Sequence, residues 1–219
     1  MTYSTRPQAL FVDTRSKNAR AILSELGVSF TVNLASADLI WMRSNYPQIY
    51  DQLQEYQLLN HIPNEDALVD KGNLTDHLTA RSRTRTETDL PSNTFYPCTY
   101  RLYDEREHQT FFAQSPECDR ADEPWILKPT DESRGIGIRI EWQVERVRRV
   151  YQCLQRENPE SDYIVQRYIR NPLLLSGRKS EIRLYWLIAN LDPLIVLLYR
   201  EGTVRLNTLL FVWATTITP

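Results

Sequence analysis

Trp125-Ile126-Leu127-Lys128-Pro129, then Thr130-Asp131-Glu132-Ser133, then Arg134-Gly135-Ile136-Gly137-Ile138 and Arg139-Ile140-Glu141-Trp142 form one continuous stretch of the chain. The run from Glu123 to Lys128 predicts a strand. Pro129 stops it, because proline has no amide proton to add to a ladder. Thr130 to Gly137 is polar and glycine-containing, and Ile138 to Trp142 returns as a second strand. The two strands read as a β-hairpin with a glycine-rich tip. A lysine at a strand end can set a point charge against a phosphate. A glycine tip lets backbone N–H groups approach phosphate oxygens closely. No helix with a GK[ST] ending follows, so this is not a Walker loop. Taken alone, the hairpin is equally an ordinary turn.

Two further segments carry possible chemistry. Tyr163-Ile164-Val165-Gln166-Arg167-Tyr168-Ile169 reads as an apolar strand running into a polar hinge, where backbone groups can meet a flat base. The alternative is a plain buried strand. In Gly177-Arg178-Lys179-Ser180-Glu181-Ile182-Arg183-Leu184-Tyr185, residues Lys179, Glu181 and Arg183 alternate. One face of a strand would then carry plus, minus, plus, and the other Ile182 and Leu184. The alternative there is an exposed strand with cross-strand ion pairs. Arg200 in Tyr199-Arg200-Glu201-Gly202 adds another arginine at a strand end.

Around these segments, strand–helix–strand–strand over Ala9–Val12, Lys17–Leu26, Val28–Leu34 and Leu39–Met42 predicts a small α/β domain with a parallel component. Asp51 to Leu59 is a short helical or turn segment. Asp66 to Leu78 predicts a helix carrying Lys71, and the Arg-, Thr- and Ser-rich residues 79–94 a mobile loop. Val144, Val147, Val150, Tyr151 and Leu154 form one stripe of a helix over Gln143–Arg156, with Arg146, Arg148 and Arg149 on its wet side. Glu181–Ala189 and Leu194–Tyr199 predict a strand pair turning through Asn190 to Pro193.

Composition narrows the class without naming it. The 219 residues are 42% hydrophobic and 25% charged, ordinary for a globular chain. Lys and Arg number 26 against 28 Asp and Glu, a net charge of -2, so nothing global points to nucleic acid or a membrane. Leu184 to Tyr199 is apolar but is broken by Asn190, Asp192 and Pro193, too short to span a bilayer. The N-terminus lacks a signal core. The three cysteines, Cys98, Cys118 and Cys153, are widely spaced and predict reduced thiols rather than zinc or a disulfide framework. Asn73-Leu74-Thr75 matches a sequon by chance.

The runs WILKP…SRGIGI, IVQRYIRNPLLLSGRKSEIRLYWLI and DPLIVLLYREGTVRL resemble the tubulin–tyrosine ligase-like family, as do the earlier NHIPNEDALVDKGNL and FYPCTYRL. The likeness runs from about Leu39 to Arg205. It implies an α+β, ATP-grasp-like architecture, with ATP between two lobes. The parts would be an N-terminal α/β domain over 1–65, a central lobe over 66–168 and the start of a C-terminal lobe over 169–219. It also implies ligation of glutamate, glycine or tyrosine to a protein carboxylate, with glutamate favoured by the NPLLLSGRK phrasing. The expected partners are ATP, a free amino acid and tubulin or another acidic protein tail. The expected setting is a monomer in the cytoplasm, at the cytoskeleton or a cilium.

The resemblance also implies roles. Lys71 reaches the nucleotide and Lys128 the α- and β-phosphates. Ser133, Arg134, Gly135, Ile136, Gly137 and Ile138 form the phosphate lid. Gln166, Arg167, Tyr168 and Ile169 form the adenine hinge. Lys179 contacts the nucleotide, and Glu181, where the family has aspartate, lies near the ribose. Arg183 and Arg200 stand near the γ-phosphate and the reacting carboxylate. The family holds Mg²⁺ through an aspartate and a Glu-x-Asn pair beyond the YREG element, and Leu206 to Pro219 does not resemble that continuation. The expectation is therefore a chain cut short of its metal ligands and inactive alone. A non-catalytic nucleotide- or tubulin-tail-binding module and a small-molecule carboxylate–amine ligase are the other readings. All require Lys128 and Lys179 to face the same place.

Overall fold

In a computed structural model of the protein, the described residues are 10–12, 17–83, 94–113 and 123–212. The chain divides into two compact units, Met1–Thr84 and Arg85–Pro219.

In the first unit, β1 (Leu10–Val12), β2 (Leu39–Trp41) and β3 (Leu58–Leu59) form a parallel sheet in the order β1-β2-β3. Parallel neighbours need a crossover, and α1 (Lys17–Glu25) lies between β1 and β2. Ala37, Ile40 and Ile49 are its buried core, with Leu34, Met42, Tyr50, Leu53 and Leu59 packed around them. The strand expected over Val28–Leu34 is not there. Val32 is 94% exposed, and the Asn33 side chain accepts from the Ala35 N–H at 3.0 Å to cap a 3₁₀ turn over Leu34–Ser36. In that run Phe30 makes an isolated β-bridge, and the asparagine offers the backbone a local partner instead of a longer ladder. Asp51 to Leu59 resolves into the end of a second 3₁₀ turn, Pro47–Gln52, and β3.

The helix expected over Asp66–Leu78 is two helices, α2 (Asp66–Val69) and α3 (Lys71–Arg83). Asp70 is extended between them (φ -81, ψ 132). Its carboxylate accepts from the Asn73 N–H at 2.8 Å, as an N-cap side chain does. Lys71 is therefore the first residue of α3. The helix also runs through 79–83, where a loop was expected, and 84–93 lie outside the described residues.

The second unit is built on a four-stranded antiparallel sheet, β4 (Thr99–Arg101), β7 (Tyr163–Arg167), β5 (Trp125–Pro129) and β6 (Arg139–Glu141), in that order. Alternate residues Trp125, Leu127, Tyr163 and Val165 are buried in one cluster with Phe111 and Phe112 of α4 (Glu105–Ala113) and Val147 of α5 (Val144–Glu157). The aromatic rings lock edge to face, Phe111 on Trp125 at 4.9 Å and Tyr151 on Tyr163 at 5.9 Å, a geometry that adds to simple burial. The predicted α5 stripe faces this cluster. Of its arginines, Arg148 also stacks on Phe112 at 4.6 Å. Neither β4 nor α4 was legible, although Asp104 accepts from the Glu107 N–H at 2.9 Å, the capping signal of a helix start.

The C-terminal strands form separate small sheets. β9 (Arg178–Arg183) lies between β8 (Leu174–Leu175) and β12 (Thr203–Leu206), and β10 (Trp186–Leu191) pairs with β11 (Leu194–Leu198). The single strand expected over Glu181–Ala189 is thus split at Leu184–Tyr185, its halves serving two sheets; the turn at Asn190–Pro193 stands. Cys98 is disulfide-bonded and Cys153 is free and exposed, so reduced thiols throughout do not hold. No helix among the described residues is long and apolar enough to cross a membrane.

Candidate nucleotide-binding site

The register of the four-stranded sheet sorts its side chains. Thr99 of β4 and Ile126 of β5 both lie directly opposite Gln166 of β7. Lys128 lies two residues beyond Ile126, so it shares that face and reaches Gln166 diagonally. Its ammonium donates to Gln166 Oε1 at 2.7 Å. Gln166 Nε2 in turn donates to Thr99 Oγ1 at 2.8 Å. Arg167 points the opposite way. It is buried, its guanidinium lies 3.8 Å from the Trp125 ring centroid, and it donates to the Glu123 carbonyl at 2.7 Å. The side chain of Arg167 thus braces the sheet, and any part it has in a hinge belongs to its backbone.

Tyr168 follows β7, two residues from Gln166 and on the same side. Lys179 of β9 donates to the Tyr168 hydroxyl at 2.7 Å, its ammonium 4.8 Å from the ring centroid. Lys128 thus meets Gln166, and Lys179 meets Tyr168 two residues further along the chain. The Tyr168 N–H is used on the Pro124 carbonyl at 2.9 Å, and Ile169 beyond it is exposed.

The lid residues Ser133–Ile138 form an exposed turn between β5 and β6. Arg134, Gly135 and Gly137 have φ of 59, 82 and 71, a region open mainly to glycine. A Cβ on Gly137 would sit 3.0 Å from Pro129 Cγ, whereas one on Gly135 would meet nothing within 4 Å. Gly137 thus lets the tip fold back onto the proline beside Lys128.

The remaining residues are placed less tightly. Glu181 lies opposite Arg205 across β9 and β12 and pairs with it at 3.5 Å. Both are exposed, so this ion pair adds little stability. Arg183, at the end of β9, and Arg200, after β11, are exposed. Lys71 belongs to the first unit. Among the described residues no group of three or more His, Cys, Asp and Glu could hold a metal ion.

A sequence model of the tubulin-tyrosine ligase family matches residues 50–216. The chain belongs to the tubulin-tyrosine ligase family. Among curated relatives, the tubulin polyglutamylase TTLL5 of Homo sapiens is 32% identical over 203 residues, covering 90% of this chain and 14% of that protein. The tubulin polyglutamylase TTLL7 of Homo sapiens is 28% identical over 89% of this chain and 21% of that protein. The protein polyglycylase TTLL10 of Mus musculus is 33% identical over 71% of this chain and 24% of that protein. The chain thus spans only about a seventh to a quarter of these relatives. The C-terminal domain of K. lactis Pby1, an ATP-grasp enzyme interacting with the mRNA decapping enzyme Dcp2, superimposes with a TM-score of 0.53 at 21% identity, covering 93% of this chain and 60% of that one. The fold of this tubulin-tyrosine ligase family member is therefore a mixed α/β, ATP-grasp one.

Sequence reasoning missed Thr99. Its signal was a lone small hydroxyl in the Cys98-Thr99-Tyr100 run, among larger side chains of a strand.

Proposed function

We propose that this chain carries nucleotide-binding machinery of an ATP-dependent ligase that adds an amino acid, glutamate foremost, to a carboxylate of tubulin. The single observation supporting this reading is that Lys128 and Lys179 converge on Gln166 and Tyr168 at one strand end. Two ammonium groups brought to one strand end suit a polyanion, whose charge each can offset. A triphosphate is such an anion, and the lid turn offers backbone N–H groups for its oxygens. Ile169, just past the strand, would present its backbone to the adenine.

The acceptor carboxylate takes the γ-phosphoryl group of ATP, releasing ADP, and the amine of the amino acid then attacks the acyl carbon and expels phosphate to form the amide. The chain's own share is positioning and charge neutralisation. Lys128 and Lys179 hold the phosphates. Arg183 and Arg200 stand on the exposed sheets, where an incoming acidic tail would meet them. Relatives named for tubulin modification support tubulin as the acceptor, and the setting proposed is the cytoplasm, at the cytoskeleton or a cilium.

We further propose that the polypeptide alone turns over little or nothing. Its support is the uncovered C-terminal strands, whose apolar side chains lie exposed on both faces of β10 and β11. The test combines calorimetric ATP binding with incubation of the purified chain, ATP, microtubules and tritiated glutamate, glycine or tyrosine. ATP binding without incorporation is expected. Incorporation overturns the inactivity, glycine or tyrosine in preference to glutamate overturns the donor, and no ATP binding by a folded chain overturns the nucleotide site.

A further inference from the structure

We infer that Thr99 is a positioning residue that fixes the Gln166 amide and, through it, the Lys128 ammonium. The inference rests on the reading of Lys128 as a phosphate-binding lysine. Three hydrogen bonds run in one direction. Thr99 Oγ1 donates to the Pro97 carbonyl at 2.7 Å, Gln166 Nε2 donates to Thr99 Oγ1 at 2.8 Å, and Lys128 Nζ donates to Gln166 Oε1 at 2.7 Å. A hydroxyl has one proton, and a backbone carbonyl has none to offer. With its proton on Pro97, Thr99 can only accept from Gln166. The amide must then turn its NH₂ toward Thr99 and its oxygen toward Lys128.

The flipped amide would set an NH₂ against an ammonium and a carbonyl against the lone pairs of Thr99. Gln166 is only 7% exposed, so water cannot readily relieve either clash. Thr99 stands opposite Gln166 in the β4–β7 register, so its hold on the amide is direct. Burial of Gln166 leaves Lys128 as the end of the relay that can meet a ligand.

The test uses the whole chain and compares ATP with adenosine, because Lys128 acts only on phosphates. Thr99→Val keeps the shape and removes the hydroxyl, and is expected to weaken ATP binding about three- to tenfold while adenosine binding holds. Thr99→Ser restores ATP affinity. Gln166→Glu has an acceptor on both sides, so adding Thr99→Val to it should cost nothing further. Gln166→Met, which breaks the relay at its middle, keeps the test readable if Thr99→Val alone melts too low, and unchanged ATP affinity there overturns the relay. Equal ATP affinity in wild type and Thr99→Val, with Lys128→Met impaired, overturns the relay and leaves the lysine's role standing. Equal loss for ATP and adenosine also overturns the relay, as mere damage to the sheet. An unimpaired Lys128→Met overturns the lysine's role and the relay with it.

Discussion

The second unit contains two kinds of sheet made from similarly apolar strands. Trp125–Pro129 and Tyr163–Arg167 read WILKP and YIVQR, and Trp186–Leu191 and Leu194–Leu198 read WLIANL and LIVLL. In the first pair, one face is sealed by α4 and α5, and Trp125, Leu127 and Val165 are at most 1% exposed. In the second pair, Trp186, Leu187 and Leu197 are more than half exposed. Strand hydrophobicity fixes the pairing of backbones. The covering layer fixes the energy, since about 25 cal/mol comes from each Å² of apolar surface removed from water.

The largest difference should appear on truncation. Trp125→Ala removes a side chain in contact with Phe111 and Tyr100, and is expected to lower unfolding free energy by about 3–5 kcal/mol in urea melts. A loss below about 1 kcal/mol would mean that the helix-backed sheet is not the stabilising core. Next comes the lid. Gly137→Ala brings a Cβ to 3.0 Å from Pro129 and strains a positive φ, whereas Gly135→Ala meets only the strain. The expected costs are about 2 and about 1 kcal/mol. Equal melting points for the two would remove the packing argument at Gly137.

A smaller effect follows from His108 on α4. Burial lowers its pKa from the ordinary 6.5, the Arg148 charge lowers it further, and Glu105 opposes both. The folded state thus prefers the neutral ring. Its contribution is full above about 6.5 and is lost as pH falls from there through the lowered folded value. The melting temperature should drop between pH 7.5 and 5.5, and His108→Gln should shrink that drop. An unchanged drop would assign it to other groups. The smallest effect should come from the uncovered hairpin, where Leu197→Ser is expected to change stability by no more than about 0.5 kcal/mol while reducing binding of an apolar dye. A loss comparable to that of Trp125→Ala would show that the hairpin is part of the core after all.

The same contrast explains what the sequence could reveal. Periodicity located β5, α5 and β7 because a covered face imposes a period of two or 3.6, and β6 followed from the chain's return after the glycine tip. It also located the β10–β11 turn. It failed at Val28–Leu34, where only an isolated bridge at Phe30 forms, and at Asp70, where one carboxylate capped a new helix inside an expected one. It joined β9 to β10, because apolar residues continue through Leu184–Tyr185 and only pairing partners separate the two strands. At the site, the family resemblance named the lysines. It did not distinguish the Gln166 side chain, turned toward Lys128, from Arg167, turned onto Trp125. That sorting depends on strand register, and for the same reason Thr99 went unread.

The central claim is that Lys128 and Lys179 hold one triphosphate together. Calorimetric ATP affinities of the wild type, Lys128→Met, Lys179→Met and the double variant test it most directly. The expected result is about ten- to hundredfold weaker binding for each single variant, adenosine affinity preserved, and a double variant whose loss departs from the sum of the two. Variants that remain folded and bind ATP as tightly as the wild type would contradict it.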